Sequence, residues 1–257
     1  MNNVTVFTTF NKSGYDQYGR NMLQSMTEHV PAGVDIVAYT EGFSADFEHP
    51  LVSYTDLPSS SPNLVRFKQK FGRFELATGV VEKKNGVKGY NYNFDAIKFC
   101  HKVYCQVHAL KHLKSRYLFW VDGDTLVKKT MPSGFFESFL AAGEYTCYLG
   151  RDHMHSECGF VGFDSAHTEH KNFVASYENI FNSGDIFLLA AWHDCVAYDT
   201  LREMFEAQGK IVSNNISGKY SSVMHPFVNT ILGEYMDHLK GPERKKAGSS
   251  FDADKVS

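Results

Sequence analysis

Arg116-Tyr117-Leu118-Phe119-Trp120-Val121-Asp122-Gly123-Asp124-Thr125-Leu126-Val127 joins a continuous apolar run to two carboxylates separated by one glycine. An unbroken run such as Tyr117 to Val121 is expected of a strand buried on both faces. In open α/β sheets, ligands bind just beyond the carboxyl ends of the strands. The stretch therefore puts Asp122 and Asp124 at the rim of a crevice. Carboxylate oxygens suit Mg²⁺ or Mn²⁺, which commonly share their sites with substrate phosphates. Gly123 is expected to let the backbone turn and to leave room for a ligand. A solvated turn is the alternative, because Asp and Gly are the commonest turn residues.

The flanking sequence supplies an α/β frame for this strand. Val4 to Thr9 reads as a first strand and Asp16 to His29 as a helix, with Tyr18, Met22, Met26 and Val30 at helical spacing. Pro31-Ala32-Gly33 ends the helix, and Val34 to Tyr39 reads as a second strand. Such a βαβ unit implies a parallel sheet with a right-handed crossover. Asp95 to Leu113 predicts a long helix entering the Asp122 strand, with Ile97, Cys100, Val103, Tyr104, Val107 and Leu110 on one apolar stripe. Lys98, Lys102 and Lys111 fall off that stripe. Between Asp56 and Tyr92 the pattern is poorer: a helix over Asn63–Ala77, an exposed turn over Glu82–Gly89, and a segment read as mobile beside the active site.

At 257 residues the chain can bury the core of one large α/β domain. A net charge of −3 gives no electrostatic case for nucleic acid as a partner. No run approaches the length of a membrane span, and Val4-Thr5-Val6-Phe7 follows the first residues without a basic flank or cleavable apolar segment. The five cysteines, Cys100, Cys105, Cys147, Cys158 and Cys195, are odd in number and contain no CxxC pair. They are expected as reduced thiols of a cytoplasmic protein. His153 and His155 suggest a second metal site, but they lack a matching cluster in the sequence and read as loop residues.

The apolar strand with Asp122-Gly123-Asp124 resembles the DxD motif of metal-dependent glycosyltransferases with the GT-A fold. That resemblance implies a Rossmann-like three-layer α/β sandwich with a mostly parallel central sheet. It implies one such domain over residues 1–257, with a nucleotide-binding part over about 1–130, an acceptor-binding part over about 131–240 and a C-terminal tail over about 241–257. It further implies that Asp122 and Asp124 hold Mn²⁺ or Mg²⁺ against the diphosphate of a nucleotide-sugar, with UDP the favoured nucleotide. Thr8 and Thr9 would lie near the nucleotide, and Lys98 near the donor diphosphate or sugar; threonines that only cap the strand and a surface lysine are the other readings. Glu157-Cys158-Gly159-Phe160-Val161-Gly162 resembles the glycine-bearing loop that lines the sugar and acceptor pocket in these enzymes, implicating Glu157 and Gly159; a plain bulged strand is the other reading. Asp194, an acid opening a helix after that loop, resembles the catalytic or acceptor-binding carboxylate, although it also suits a helix cap. Trp192 and His193, implicated in acceptor binding with Trp192 either offering a flat face to a sugar or simply packing, complete a triplet similar to that of retaining galactosyl- and N-acetylgalactosaminyltransferases of the blood-group type, where a glutamate stands in place of Cys195. Finally, His238-Leu239-Lys240-Gly241 matches the HxxG element of glycogenin-like enzymes. By that likeness His238 completes the metal shell and Arg244 reaches the diphosphate, where the family has lysine. Residues 249–257 are polar and expected to be disordered without ligand.

The expected activity is metal-dependent transfer of a sugar from a nucleotide-sugar to a hydroxyl acceptor. Two alternatives stand beside it. Haloacid-dehalogenase-type phosphohydrolases also place Asp-x-Asp after a buried strand, but there Thr or Val stands one residue further on than Thr125. A GT-A-like domain that binds sugar without turning it over would carry the same frame.

Overall fold

The computed structural model describes residues 2–82 and 86–256. Lys83, Lys84 and Asn85 of the expected Glu82–Gly89 turn lie outside the described residues. Seven strands form the central sheet, in the order β10-β8-β9-β6-β1-β2-β3. They are β1 (Val4–Phe10), β2 (Val34–Thr40), β3 (Val52–Asp56), β6 (Tyr117–Val121), β8 (Glu144–Arg151), β9 (Met154–Asp164) and β10 (Val212–Asn215). Two short pairs lie outside it: β4 (Val80–Glu82) with β5 (Lys88–Tyr90), and β7 (Thr125–Val127) with β11 (Met236–His238). Every central pairing is parallel except those made by β9, which runs antiparallel to β6 and β8. The chain is thus α/β with a mostly parallel sheet, as expected.

The pleat of β6 explains its continuous apolar sequence. Leu118 and Trp120 enter one buried cluster, and Phe119 and Val121 enter another on the opposite face. The first cluster lies under helices α2 (Pro62–Phe71), α3 (Ala96–His112), α4 (His170–Ser183) and α5 (Asp194–Ala207). The second is covered by α1 (Arg20–His29), Met131 to Leu140 and Phe227 to Met236. α3 opens with Asp95, whose carboxylate accepts from the Lys98 amide at 3.0 Å and supplies a partner that the first turn of a helix lacks.

Several elements depart from the sequence reading. The first helical segment begins at Lys12, not Asp16, because the Asn11 side chain caps it, and it passes through a π-helical turn at Tyr15–Gly19. The helix expected over Asn63–Ala77 stops at Phe71 and gives way to a 3₁₀ turn at Glu75–Thr78. Glu157 to Gly162 is interior strand of β9, which corrects the loop reading in favour of the bulged strand; the β8–β9 register shifts on both sides of Leu149. His155 likewise lies in β9 and not in a loop. The C-terminal tail is tied down: Ser250 donates from its backbone to Asp237 at 3.1 Å, and the Val256 amide donates to Asn229 at 2.7 Å.

Candidate active site

The strand order reverses at β1. From β1 the chain builds outward through β2 and β3, then returns through α3 to place β6 on the other flank of β1. Such a reversal opens a crevice at the carboxyl ends of the two central strands. Asp122 and Asp124 follow the end of β6 there. β7, continuing from Asp124, pairs antiparallel with β11, and that register sets His238 opposite Thr125. The Leu239 amide also donates to the Asp124 carbonyl at 2.9 Å. A residue more than a hundred positions away is thereby delivered to Asp122 and Asp124 by backbone pairing.

One ligand atom from each of Asp122, Asp124 and His238 lies within 4.8 Å of the other two. His238 Nε2 is 3.4 Å from Asp122 Oδ2 and 3.3 Å from Asp124 Oδ1. Its other nitrogen, Nδ1, donates to Glu157 Oε1 at 2.9 Å. A carboxylate behind a ligating imidazole fixes the ring and its tautomer, as is usual around metals. His225 extends the chain: its Nδ1 lies 3.1 Å from Glu157 Oε2 and its Nε2 3.2 Å from the His238 carbonyl. Gly159 is required here, since a Cβ on it would sit 2.7 Å from the His238 ring. Gly123 answers to packing as well, with the Phe10 ring in the space its side chain would need and no positive φ.

Lys102 ties this group to Asp194. Its Nζ donates to Asp122 Oδ1 at 2.8 Å and to the Cys158 carbonyl at 2.7 Å, and pairs with Asp194 Oδ2 at 2.8 Å. The ammonium also lies 5.0 Å from the centre of the Trp120 ring, whose Nε1 donates to Asp122 Oδ1 at 2.7 Å. Lys245, on α6 (Gly241–Ala247), approaches from the other side, 2.8 Å from Asp124 Oδ2 and 4.6 Å above the Tyr18 ring.

The charges of these groups are set by one another. Burial opposes the charge on Asp122, but Lys102 and His238 outweigh it and hold its carboxyl below the usual range. Asp124 is lowered in the same way, burial and Asp122 being overcome by His238 and Lys245. For Glu157, burial is outweighed by the hydrogen bonds from His225 and His238. Burial disfavours charge on His238, yet Asp124 and Asp122 raise its pKa well above the ordinary value. Tyr18 is pushed up to about 12, mainly by burial and then by Asp124 and Asp122.

The structure brings together Asp122, Asp124, His238 and, through Lys102, Asp194. It treats the other sequence-derived candidates differently. Lys98 is exposed, with its ammonium over the Phe99 ring at 5.6 Å; Lys102, one turn deeper, reaches the carboxylates instead. Arg244 is engaged with Asp254 through Nε at 2.7 Å, and its neighbour Lys245 faces Asp124. Glu157 is only 2% exposed and used on both oxygens, so it supports His238 and does not line an acceptor pocket. Gly159 likewise makes room for that ring. Trp192 is buried against Phe74, Phe94 and Phe187, with no free face for a sugar. His193 is buried, edge to face with His155 and tilted against Phe99. Thr8 is fully buried, and Thr9 donates to the Tyr39 carbonyl at 3.1 Å. The expected division into residues 1–130 and 131–240 is crossed by the site, because His238 and Lys245 meet the carboxylates after β6.

No family model matches the chain, and no curated protein matches it. Among solved structures, mouse xyloside xylosyltransferase 1 in its apo form is similar at 11% identity, covering 82% of this chain and 84% of that one, with a TM-score of 0.49. A glycosyltransferase involved in the glycosylation of the major capsid of PBCV-1 is also similar at 11% identity, covering 95% of this chain and 97% of that one, with a TM-score of 0.48. Likenesses this distant leave function to be read from the side chains. No helix among the described residues is long and apolar enough to cross a membrane.

Proposed function

We propose that the protein is a metal-dependent glycosyltransferase that moves a sugar from a nucleotide-sugar, with UDP as the nucleotide, to a hydroxyl acceptor. The observation that carries this reading is the convergence of Asp122, Asp124 and His238 at the switch point of the sheet, with Glu157 behind the imidazole. The donor set fits a divalent cation: two carboxylates and one imidazole whose outer nitrogen is already committed. Mn²⁺ or Mg²⁺ held there would supply positive charge where the diphosphate departs.

The chain's own residues do the rest. Glu157 and His225 hold the His238 ring in place. Lys102 keeps Asp122 and Asp194 in fixed relation. Lys245 offers an ammonium beside Asp124 for the phosphate oxygens, the role expected of Arg244. Asp194, expected as the base or acceptor-orienting carboxylate, is as buried as Glu157, at 2% exposed, and is paired with Lys102, so its part here is to anchor that lysine against Asp122.

A turnover assay tests the proposal. Purified protein is incubated with a panel of UDP- and GDP-sugars and Mn²⁺ or Mg²⁺, and nucleoside diphosphate release is followed. Release from at least one donor is expected, abolished by chelator and reduced at least a hundredfold in Asp124→Asn. Phosphate release from phosphomonoesters, with no nucleotide-sugar consumed, would replace this reading with the phosphohydrolase.

A further inference from the structure

Two histidines and two cysteines left unused by this chemistry come together beside Asp194. His155 and Cys158 lie on β9, and His193 and Cys195 flank Asp194 at the start of α5. One ligand atom from each of His155, His193 and Cys195 lies within 4.8 Å of the other two. Cys158, Asp194 and Cys195 form a second grouping at that spacing, sharing Cys195. The His155 and His193 rings meet edge to face with centroids 4.4 Å apart. His193 is only 2% exposed, and its Nε2 is buried without a hydrogen-bond partner. An orphaned buried ring nitrogen is costly, and a bound ion is one of the few things that explains it.

We propose that His155, His193 and Cys195, with Cys158 in the fourth position, form a binding site for Zn²⁺. Imidazole and thiolate are the ligands of tetrahedral zinc, and a thiolate disfavours Mg²⁺ and Mn²⁺. The ligand atoms of His155, His193 and Cys195, within 4.8 Å of one another, need to draw in by less than roughly 1 Å to reach zinc's bond lengths, and Cys158 joins them through Cys195, from which it lies at that spacing. Asp194 is the less suitable fourth donor, because Lys102 already holds its Oδ2 at 2.8 Å. The ligands form two short pairs, His155-x-x-Cys158 and His193-x-Cys195, from two elements distant in the chain. Zinc would pin the first turn of α5, and with it Asp194, to β9. The site is distinct in chemistry from the Asp122–Asp124–His238 group and stands whether or not the protein transfers sugar.

Cobalt titration of the metal-stripped, reduced full-length protein tests it. Thiolate ligation gives Co²⁺ a sulfur-to-metal charge-transfer band, and tetrahedral geometry gives intense visible bands; the Asp122–Asp124–His238 group offers no sulfur. One equivalent of Co²⁺ is expected to develop both features, and one equivalent of Zn²⁺ to bleach them. Asp124→Asn should titrate like the wild type. His155→Ala and Cys195→Ser should each weaken binding at least tenfold, with the circular dichroism spectrum as the check on folding. His155 is half-buried, so His155→Ala decides the matter if Cys195→Ser fails to fold. No thiolate band in the wild type at excess Co²⁺, or an unchanged titration in His155→Ala, overturns the proposal.

Discussion

At the residue scale, the side chains behind Asp122, Asp124 and His238 matter as much as those three residues themselves. Glu157→Gln keeps the shape but removes the charge behind His238. Outer partners of ligating histidines contribute about 10–100-fold to metal affinity, and a loss of that size is expected in a Mn²⁺ titration. Gly159→Ala should act at the same place by a different route, since its methyl group would meet the His238 ring at 2.7 Å. The expected result is weakened Mn²⁺ binding with little change in the circular dichroism spectrum. Lys102 is the buried counter-ion of two carboxylates. Lys102→Met leaves Asp194 without a cationic partner, and removing one member of a buried ion pair costs about 3–5 kcal/mol. Urea denaturation should show a loss of that order, whereas Lys98→Met should change stability little.

At the element scale, legibility follows how local each signal is. β6 announced itself because a strand buried on both faces must be apolar throughout, and Asp122 and Asp124 could be placed because they directly follow it. α3 was legible from its stripe, but the choice between Lys98 and Lys102 was not. Both lie one turn apart on one face, and only the seating of α3 against β6 decides which ammonium meets Asp122. The carboxylates' need for a buried cation, with Trp120 two residues before Asp122, was the one available hint. Glycines 159 and 162 suggested a loop open to sugar, whereas Gly159 serves a ring brought in by β11. The His155–His193–Cys195 grouping was invisible for the same reason: its members join β9 to α5 and carry no periodic pattern. His238 was found only through a family resemblance, since the β7–β11 pairing that delivers it spans more than a hundred residues.

At the scale of the whole molecule, the sheet supplies the crevice and the last part of the chain completes it. β11 contributes His238, α6 contributes Lys245, and the tail holds both through Ser250–Asp237 and Arg244–Asp254. Deleting residues 249–257 should therefore lower Tm and weaken Mn²⁺ binding together, while leaving the spectrum of the central sheet intact. The most direct test is a thermal-shift series with UDP, GDP and phosphate, each with and without Mn²⁺, on the wild type and Asp124→Ala. A ligand at a hundred times its Kd that binds only the folded state stabilises by about 2.7 kcal/mol, a readily visible shift. The expected result is a rise in Tm with UDP that requires Mn²⁺ and disappears in Asp124→Ala. A response to phosphate with no response to any nucleotide, or a UDP response unchanged by Asp124→Ala, would contradict the assignment of Asp122, Asp124 and His238 as the centre of a nucleotide-sugar site.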